Sequence, residues 1–241
     1  MERERFLELL RTDGDLLLLT ARRGLDATVP TCPGWTVRDA VSHTAQVYEH
    51  KLACIALGGP KPEPWPPAWP DRDPLDWYAD AHARLVATLT TTDPAAPSHT
   101  WWPDDQTAGF WVRRMAQETA VHRADVESAF GDVTPIDAEL AVDGVDEVLT
   151  MMLADDWSDL PQPDLNGTAS VETGGRRWHV AMTTDDVAVA ESDGPAEATV
   201  SGEPSDVLLW LWGRAPDGAV RIDGDAGAAR RFRERLALAT T

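Results

Sequence analysis

Apolar residues recur at helical spacing through most of the first 155 residues. In residues 3–22 they follow the spacing of an amphipathic α-helix, which Gly14 weakens near its middle. The same pattern predicts four further helices, at residues 36–57, 76–89, 106–130 and 137–154. Thr36 is a suitable N-cap residue, with Asp39 at the capping-box position. The N-terminal part is therefore predicted to be a bundle of antiparallel helices.

Two segments between these helices combine proline with tryptophan. Residues 58–74 contain seven prolines together with Trp65 and Trp69, so they are expected to form a loop. A second aromatic loop contains Trp101 and Trp102 and leads into the fourth helix. These tryptophans would either wall an apolar pocket or pack two domains together.

The pattern changes after Asp155. Residues 157–175 are rich in proline and glycine and are interpreted as irregular. The following short runs have strand or helix character: strands at residues 177–183, 186–190, 198–201 and 220–222, and helices at residues 204–212 and 226–238. We therefore predict a helical domain over residues 1–155 and a smaller α/β domain with an antiparallel sheet over residues 156–241.

The composition is that of an acidic globular protein. A net charge of −20 argues against nucleic acid or an anionic membrane surface as a partner, because both reward clustered lysine and arginine. The N-terminus has no apolar stretch with a cleavage site, and no window approaches the length of a membrane span. The protein is therefore expected to be cytoplasmic. Its two cysteines fit a reducing compartment.

Glu118 and His122 are four residues apart on a predicted helix, so their side chains project from one face about one turn apart. His43 lies among alanine and valine on another predicted helix, where a solvated histidine is not expected. Two imidazoles and a carboxylate would make a three-ligand site with open coordination positions, as in catalytic zinc sites. On spacing alone the alternatives are an exposed helical ion pair and a buried core histidine.

Three segments together carry a family resemblance. They are Val29-Pro-Thr-Cys-Pro-Gly-Trp-Thr-Val-Arg-Asp-Ala-Val-Ser-His43, Met115-Ala-Gln-Glu-Thr-Ala-Val-His-Arg-Ala-Asp125 and Ser205-Asp-Val-Leu-Leu-Trp-Leu-Trp-Gly-Arg214. In this order they resemble the mycothiol-dependent maleylpyruvate isomerases, which are actinobacterial members of the DinB-like superfamily. The resemblance implies a four-helix bundle that binds a divalent metal, followed by a sterol-carrier-like α/β domain.

The resemblance also implies which residues bind the metal. The histidine that follows the Cys-Pro-Gly-Trp motif falls on His43, and the Glu-x-x-x-His motif falls on Glu118 and His122. His50 lies two turns after His43 on nearly the same helix face, so it is the best rival ligand. The motif favours His43. The remaining histidines match no ligand position and are interpreted as surface or packing residues.

The resemblance names mycothiol as the thiol cosubstrate. A zinc ion with an open side would lower the pKa of a thiol, and the bound thiolate would attack a small electrophile. If the adduct rotated about the former double bond and then eliminated the thiol, the reaction would be an isomerisation. If the adduct were stable, the reaction would be an S-transfer. Neither cysteine matches a nucleophile motif, and Cys32 is interpreted as a small buried residue.

Arg214 is the candidate for binding a substrate anion, because a guanidinium beside an apolar helix can bind a carboxylate with two hydrogen bonds. An interdomain salt bridge is the competing interpretation of this residue. For the protein as a whole, two other hypotheses stay open: a non-catalytic metal- or ligand-binding module in regulation or stress, and a metal-dependent hydrolase. The oligomeric state is expected to be monomer or homodimer.

Overall fold

The computed structural model describes residues 1–154 and 157–240. The chain divides into two compact units, Met1–Thr134 and Pro135–Thr241. The domain boundary predicted after residue 155 falls at residues 155–156, which lie outside the described residues. Within the described ranges, no helix combines the length and the apolar character that crossing a bilayer requires.

The first unit is a four-helix bundle, as the family resemblance implies. Its helices are α1 (Arg3–Ala21), α2 (Val37–Leu57), α3 (Pro74–Thr91) and α4 (Ala108–Ser128). The apolar stripes of these helices face one another, and fully buried side chains such as Leu10, Tyr48 and Leu85 form the core. The capping box predicted at the start of α2 is present, with both hydrogen bonds between Thr36 and Asp39 formed.

Helices α2 and α4 run antiparallel. His43, early in α2, lies beside His122, whereas Lys51, later in α2, lies beside Trp111, which is earlier in α4. Contacts therefore advance along one helix while they retreat along the other. This direction places the early part of α2 against the later part of α4.

Helices α1 and α3 are likewise antiparallel, since Arg3 contacts Leu89 and Gly14 contacts Tyr78. Helices α1 and α4 are parallel, which corrects the prediction of a wholly antiparallel bundle. Asp13 pairs with Arg123, and Arg23, just past α1, lies over the ring of Phe130, just past α4. Sequence periodicity reports the buried face of a helix but not its direction.

It follows that α2 and α3 are parallel, so the chain must return along the bundle between them. The loop of residues 58–73 makes this return. Trp65 packs on His50 with ring centroids 4.1 Å apart, and further along the loop Pro67 accepts a hydrogen bond from Gln46, one turn earlier in α2. The proline-rich loop therefore lies over α2.

The second unit is built around a five-stranded sheet. Its elements are α5 (Ala138–Glu147), a π-helix (Val148–Leu153), β1 (Gly167–Thr173), β2 (Arg176–Met182), β3 (Val187–Glu191), β4 (Ala198–Ser201), α6 (Pro204–Leu211), a short 3₁₀ helix (Asp217–Ala219), β5 (Arg221–Gly224) and α7 (Ala226–Ala239). The strand order is β3-β2-β1-β4-β5. Helix α7 packs against β1 and β4, and Phe232 is fully buried there.

Two details of this sheet differ from the sequence prediction. Strand β1 lies in residues interpreted as irregular, and it occupies the centre of the sheet because it pairs with both β2 and β4. Its pairing with β4 is parallel, so the sheet is mixed and not antiparallel. Buried Val171 of β1 pairs with Trp178 on one side and Val200 on the other, and these long-range contacts compensate for the weak local strand pattern.

Candidate metal site

His43, Glu118 and His122 converge between α2 and α4. Helical spacing places Glu118 one turn before His122, and the antiparallel packing of α2 brings His43 opposite both. Oε1 of Glu118 lies 3.3 Å from Nε2 of His122 and 3.7 Å from Nε2 of His43. One donor atom from each residue lies within 4.8 Å of the other two. The side chain of His43 is 33% exposed, which leaves the cluster accessible.

The cluster has the donor atoms and spacing that a divalent metal requires. Zinc is bound at about 2.0–2.2 Å by imidazole nitrogen and carboxylate oxygen, so neighbouring donors of a tetrahedral site are roughly 3.3 Å apart. The two distances from Glu118 are close to this separation. Three protein ligands would leave at least one coordination position open. The residues therefore fit the metal that the resemblance implies.

Arg114 holds the carboxylate of Glu118 in its ionised form. Nη2 of Arg114 donates to Oε2 of Glu118 at 2.6 Å, which leaves Oε1 directed at the two imidazoles. Burial by itself would raise the pKa of Glu118, but the contacts with His122 and His43 and the charge of Arg114 hold this pKa well below its usual value. A carboxylate in this form is ready to bind a cation.

Asp125 orients His122 from the opposite side of the ring. Nδ1 of His122 lies 3.0 Å from Oδ2 of Asp125, whose side chain is fully buried, and Thr31 donates to Oδ1 of Asp125 at 2.7 Å. Burial alone would lower the pKa of His122, but hydrogen bonds with Asp125 and Glu118 outweigh it and raise the pKa to about 9. This contact directs Nε2 of His122 toward Glu118 and His43, as in carboxylate–histidine–metal arrangements.

The turn before α2 places an aromatic ring over the two histidines. Val29 and Trp35 close the turn through a backbone hydrogen bond of 2.9 Å. The ring of Trp35 stacks on His122 at 6.3 Å and lies tilted against His43 at 5.1 Å. Packing of this kind restricts the rotamers of both imidazoles, so the geometry of the cluster depends on the turn as well as on the helices.

His50 does not join the cluster. Its Nδ1 lies 3.1 Å from the ammonium of Lys51, and its ring packs under Trp65. Among the residues that the structure describes, the potential metal-binding group comprises His43, Glu118 and His122 alone. The geometry therefore favours His43 over its rival.

Arg114, Asp125 and Trp35 were not assigned roles from the sequence. Spacing could have found two of them, because Arg114 lies four residues before Glu118 and Asp125 lies three residues after His122 on the same helix. Trp35 had no such signal, because its position over the histidines depends on how the turn folds against α4.

Arg214 lies just past α6 in the second unit. Its Nη1 donates to the backbone carbonyl of Trp212 at 2.7 Å, and its guanidinium lies 5.8 Å from the ring centroid of the same residue. Its role in binding a substrate anion stays a prediction. Cys32 is only half-buried, so the prediction of a buried residue is wrong there, whereas Cys54 is buried.

Comparison with known proteins identifies both parts of the chain. The mycothiol maleylpyruvate isomerase N-terminal domain family matches residues 8–127, and the C-terminal domain family of the same proteins matches residues 139–231. A comparison with curated proteins by sequence gives no match.

Solved structures agree with this assignment. Two crystal structures are similar to this chain: one of a mycothiol-dependent maleylpyruvate isomerase and one of its variant with a histidine replaced by alanine. Each alignment covers 94% of this chain and 95% of the isomerase chain, at 14% sequence identity and a TM-score of 0.67. A ubiquinone synthesis protein, UbiJ-SCP2, covers 42% of this chain and 92% of its own, at 20% identity and a TM-score of 0.31. At 14% identity the two isomerase structures show a shared fold, and the two domain matches show the family. The chain belongs to the mycothiol maleylpyruvate isomerase family of enzymes.

Proposed function

We propose that the protein is a mycothiol-dependent enzyme that acts on a small electrophile, with His43, Glu118 and His122 holding a divalent metal, most simply zinc. The convergence of these three side chains on one accessible point is the observation that supports the proposal most directly. A purely structural metal site would have a closed set of four ligands. Membership of the isomerase family favours isomerisation over S-transfer.

The protein's own groups would set up this chemistry. Arg114 keeps Glu118 ionised, and Asp125 fixes the tautomer of His122 so that Nε2 is the nitrogen available for binding. A divalent ion held by such a ligand set lowers the pKa of a coordinated thiol, so that the thiolate exists at neutral pH. Trp35 packs on both imidazoles and limits their movement.

The thiol would come from the cosubstrate. Burial raises the pKa of the Cys54 thiol, which disfavours the reactive thiolate at this position. Addition of a thiol to an activated double bond makes a carbon–sulfur bond and turns that double bond into a single bond that can rotate. Elimination of the thiol then restores the double bond in the other geometry and regenerates the cosubstrate, whereas an adduct that persists is the S-transfer product.

We also propose that Arg214 binds an anionic group of the electrophile. The planar guanidinium suits a carboxylate because it can donate two parallel hydrogen bonds to it, and one of its nitrogens also donates to the Trp212 carbonyl.

Activity with a defined thiol tests the proposal. Zinc-loaded protein is mixed with mycothiol and a panel of activated alkenes and halides that includes maleylpyruvate, and thiol consumption is followed separately from isomerisation. Isomerisation without net thiol consumption is expected, and His122→Ala should abolish it. Rates that are equal with and without mycothiol would contradict the role of the thiol. In a thermal-shift control, mycothiol should stabilise the zinc-loaded protein more than the zinc-free protein.

A further inference from the structure

The second unit contains a cavity of about 390 Å³ that is lined entirely by its own residues. Side chains of α7 line it together with residues from α6, the short 3₁₀ helix and the edge strand β5. This volume falls within the range of small-molecule sites, which is about 300–1,000 Å³. The cavity is therefore large enough to hold a small organic molecule.

The inner part of the cavity is apolar. Trp210 is 1% exposed, and Ile222 packs against the buried cluster that includes Ala229. Ala226 and Ala229 lie three residues apart, on one face of α7, and both line the cavity. Because these two side chains are small, they leave room between α7 and β5 that larger residues would fill.

The outer part of the cavity is basic. Arg230 and Arg233 line it and lie one turn apart on α7. Helix α7 contains four arginines and a single acidic residue, Glu234, although the chain as a whole has a net charge of −20. A local concentration of positive charge of this kind attracts anions.

Arg233 is held in place but is not fully used. Its Nη2 donates to the carbonyl of Ala215 at 2.8 Å, and its guanidinium lies 4.5 Å from the ring centroid of Trp210. Burial lowers the pKa of Arg233, and the charge of Asp217, 3.3 Å from Nη1, only partly opposes this effect. Within residues 1–154 and 157–240, Nε of Arg233 makes no hydrogen bond. This donor is therefore available to a ligand.

Arg230 is free to turn toward a ligand. Its side chain is 74% exposed, and Nε lies 3.8 Å from Oε1 of Glu234, which is beyond hydrogen-bond distance. An exposed ion pair of this kind contributes little free energy, so a better acceptor can replace it. The other acidic residue of the lining, Asp217, already accepts from Nε1 of Trp210 at 2.9 Å. The lining thus offers open donors for an anion, whereas its acidic groups are engaged or exposed.

We propose that this cavity binds an amphipathic organic anion. The anionic group would accept hydrogen bonds from Arg230 and Arg233, and the apolar part would lie against Trp210 and Ile222. The site goes beyond the proposed function, since every residue that forms it belongs to the second unit and none is a proposed ligand of the metal.

A fluorescent probe of this chemistry tests the proposal. Full-length, zinc-loaded protein is titrated with anilinonaphthalene sulfonate, whose fluorescence rises when its rings leave water. We expect saturable binding of one molecule per chain and competition by octanoate but not by octanol. The uncharged N-phenylnaphthylamine, which has the same rings without the sulfonate, should bind at least about ten-fold more weakly, because it lacks the charged hydrogen-bond acceptor.

Two substitutions at exposed positions locate the site without endangering the fold. Arg230→Glu should weaken probe binding about ten-fold or more, because a charged donor is lost and a like charge replaces it. Ala226→Trp should block the cavity sterically. The matched control is Arg221→Glu, which makes the same charge change at a side chain that is 76% exposed. Strand alternation directs Arg221 to the face opposite Ile222, so its replacement should change probe affinity less than about two-fold.

Several results would overturn the proposal. They are the absence of saturable binding, equal affinity for the charged and uncharged probes, probe binding that survives both Arg230→Glu and Ala226→Trp, and an equal loss in the Arg221→Glu control. Removal of zinc should leave probe affinity within about two-fold. Probe binding that stays intact in a protein without mycothiol-dependent turnover would support this site and count against the proposed function alone.

Discussion

Replacement of Asp125 should weaken metal binding although Asp125 is not a proposed ligand. Its carboxylate contacts Nδ1 of His122 at 3.0 Å, and the side chain is fully buried, so bulk water does not compete for this contact. Thr31 fixes the other carboxylate oxygen at 2.7 Å. Asp125 therefore orients His122 and increases the basicity of Nε2, the nitrogen that faces Glu118.

The size of the effect follows from what each substitution removes. In Asp125→Asn the amide oxygen can still accept from Nδ1 of His122, so mainly the negative charge is lost, and we expect zinc affinity to fall about ten-fold. In Asp125→Ala the hydrogen bond is lost as well, and the fall should approach about a hundred-fold. These factors correspond to about 1.4 and 2.8 kcal/mol.

A chelator competition measures these affinities. Zinc dissociation constants are determined at pH 7.5 for the unsubstituted protein and for both variants. The matched control is Glu127→Gln, two residues further along α4, because Glu127 is also a buried carboxylate but pairs with Arg123 and Thr134. This control should lower the free energy of unfolding but leave zinc affinity within about two-fold. Unchanged affinity in both Asp125 variants, or an equal loss in the control, would refute the role assigned to Asp125.

Three further predictions concern stability and substrate binding. Asp39→Asn should lower the free energy of unfolding by about 1 kcal/mol at pH 7. The capping-box hydrogen bonds lower the pKa of Asp39 in the folded protein, so this stabilisation is present above the pKa of the unfolded state and is lost as the pH falls through the pKa of the folded state. Urea unfolding should therefore show that the difference in stability between the variant and the unsubstituted protein shrinks below about pH 4. Gly14→Ala should lower the melting temperature despite better helix propensity, because the added methyl group would collide with the ring of His82, whereas Gly24→Ala meets no atom within 4 Å and should be near neutral. Arg214→Ala should lower kcat/KM for an anionic electrophile by a factor that corresponds to about 2–4 kcal/mol of lost transition-state stabilisation, and it should leave kcat/KM for an uncharged electrophile unchanged. Equal losses for both electrophiles would contradict anion binding.

The helical part of the fold could be read from local sequence. Periodicity predicts α1 to α4 within a few residues, and the pair Thr36 and Asp39 marks the start of α2 because capping depends on neighbours along the chain. The spacing of Glu118 and His122 likewise fixes that both lie on one face of α4. These features are local, so a single segment contains all the information that they require.

Strand β1 shows where local information was insufficient. Residues 167–173 are mostly small or polar, a composition typical of loops, yet they form the central strand of the sheet. Their hydrogen-bonding partners are β2 on one side and β4 on the other, and β4 is more than twenty residues away. The parallel pairing with β4 also has no local signature, because strand direction is decided by the connection through β2 and β3.

Tertiary structure likewise brings His43, and not His50, to Glu118 and His122. Both residues lie on nearly the same face of α2, so spacing alone offers either one as a ligand. The antiparallel direction of α4 brings Glu118 and His122 to the early part of α2, opposite His43. His50 lies two turns further on, where the ammonium of Lys51 occupies its Nδ1. The sequence alone determined which residue types could bind a metal. Which of these residues meet was determined by the relative direction of α2 and α4. That direction depends on contacts between segments far apart in the chain, so no local pattern contains it.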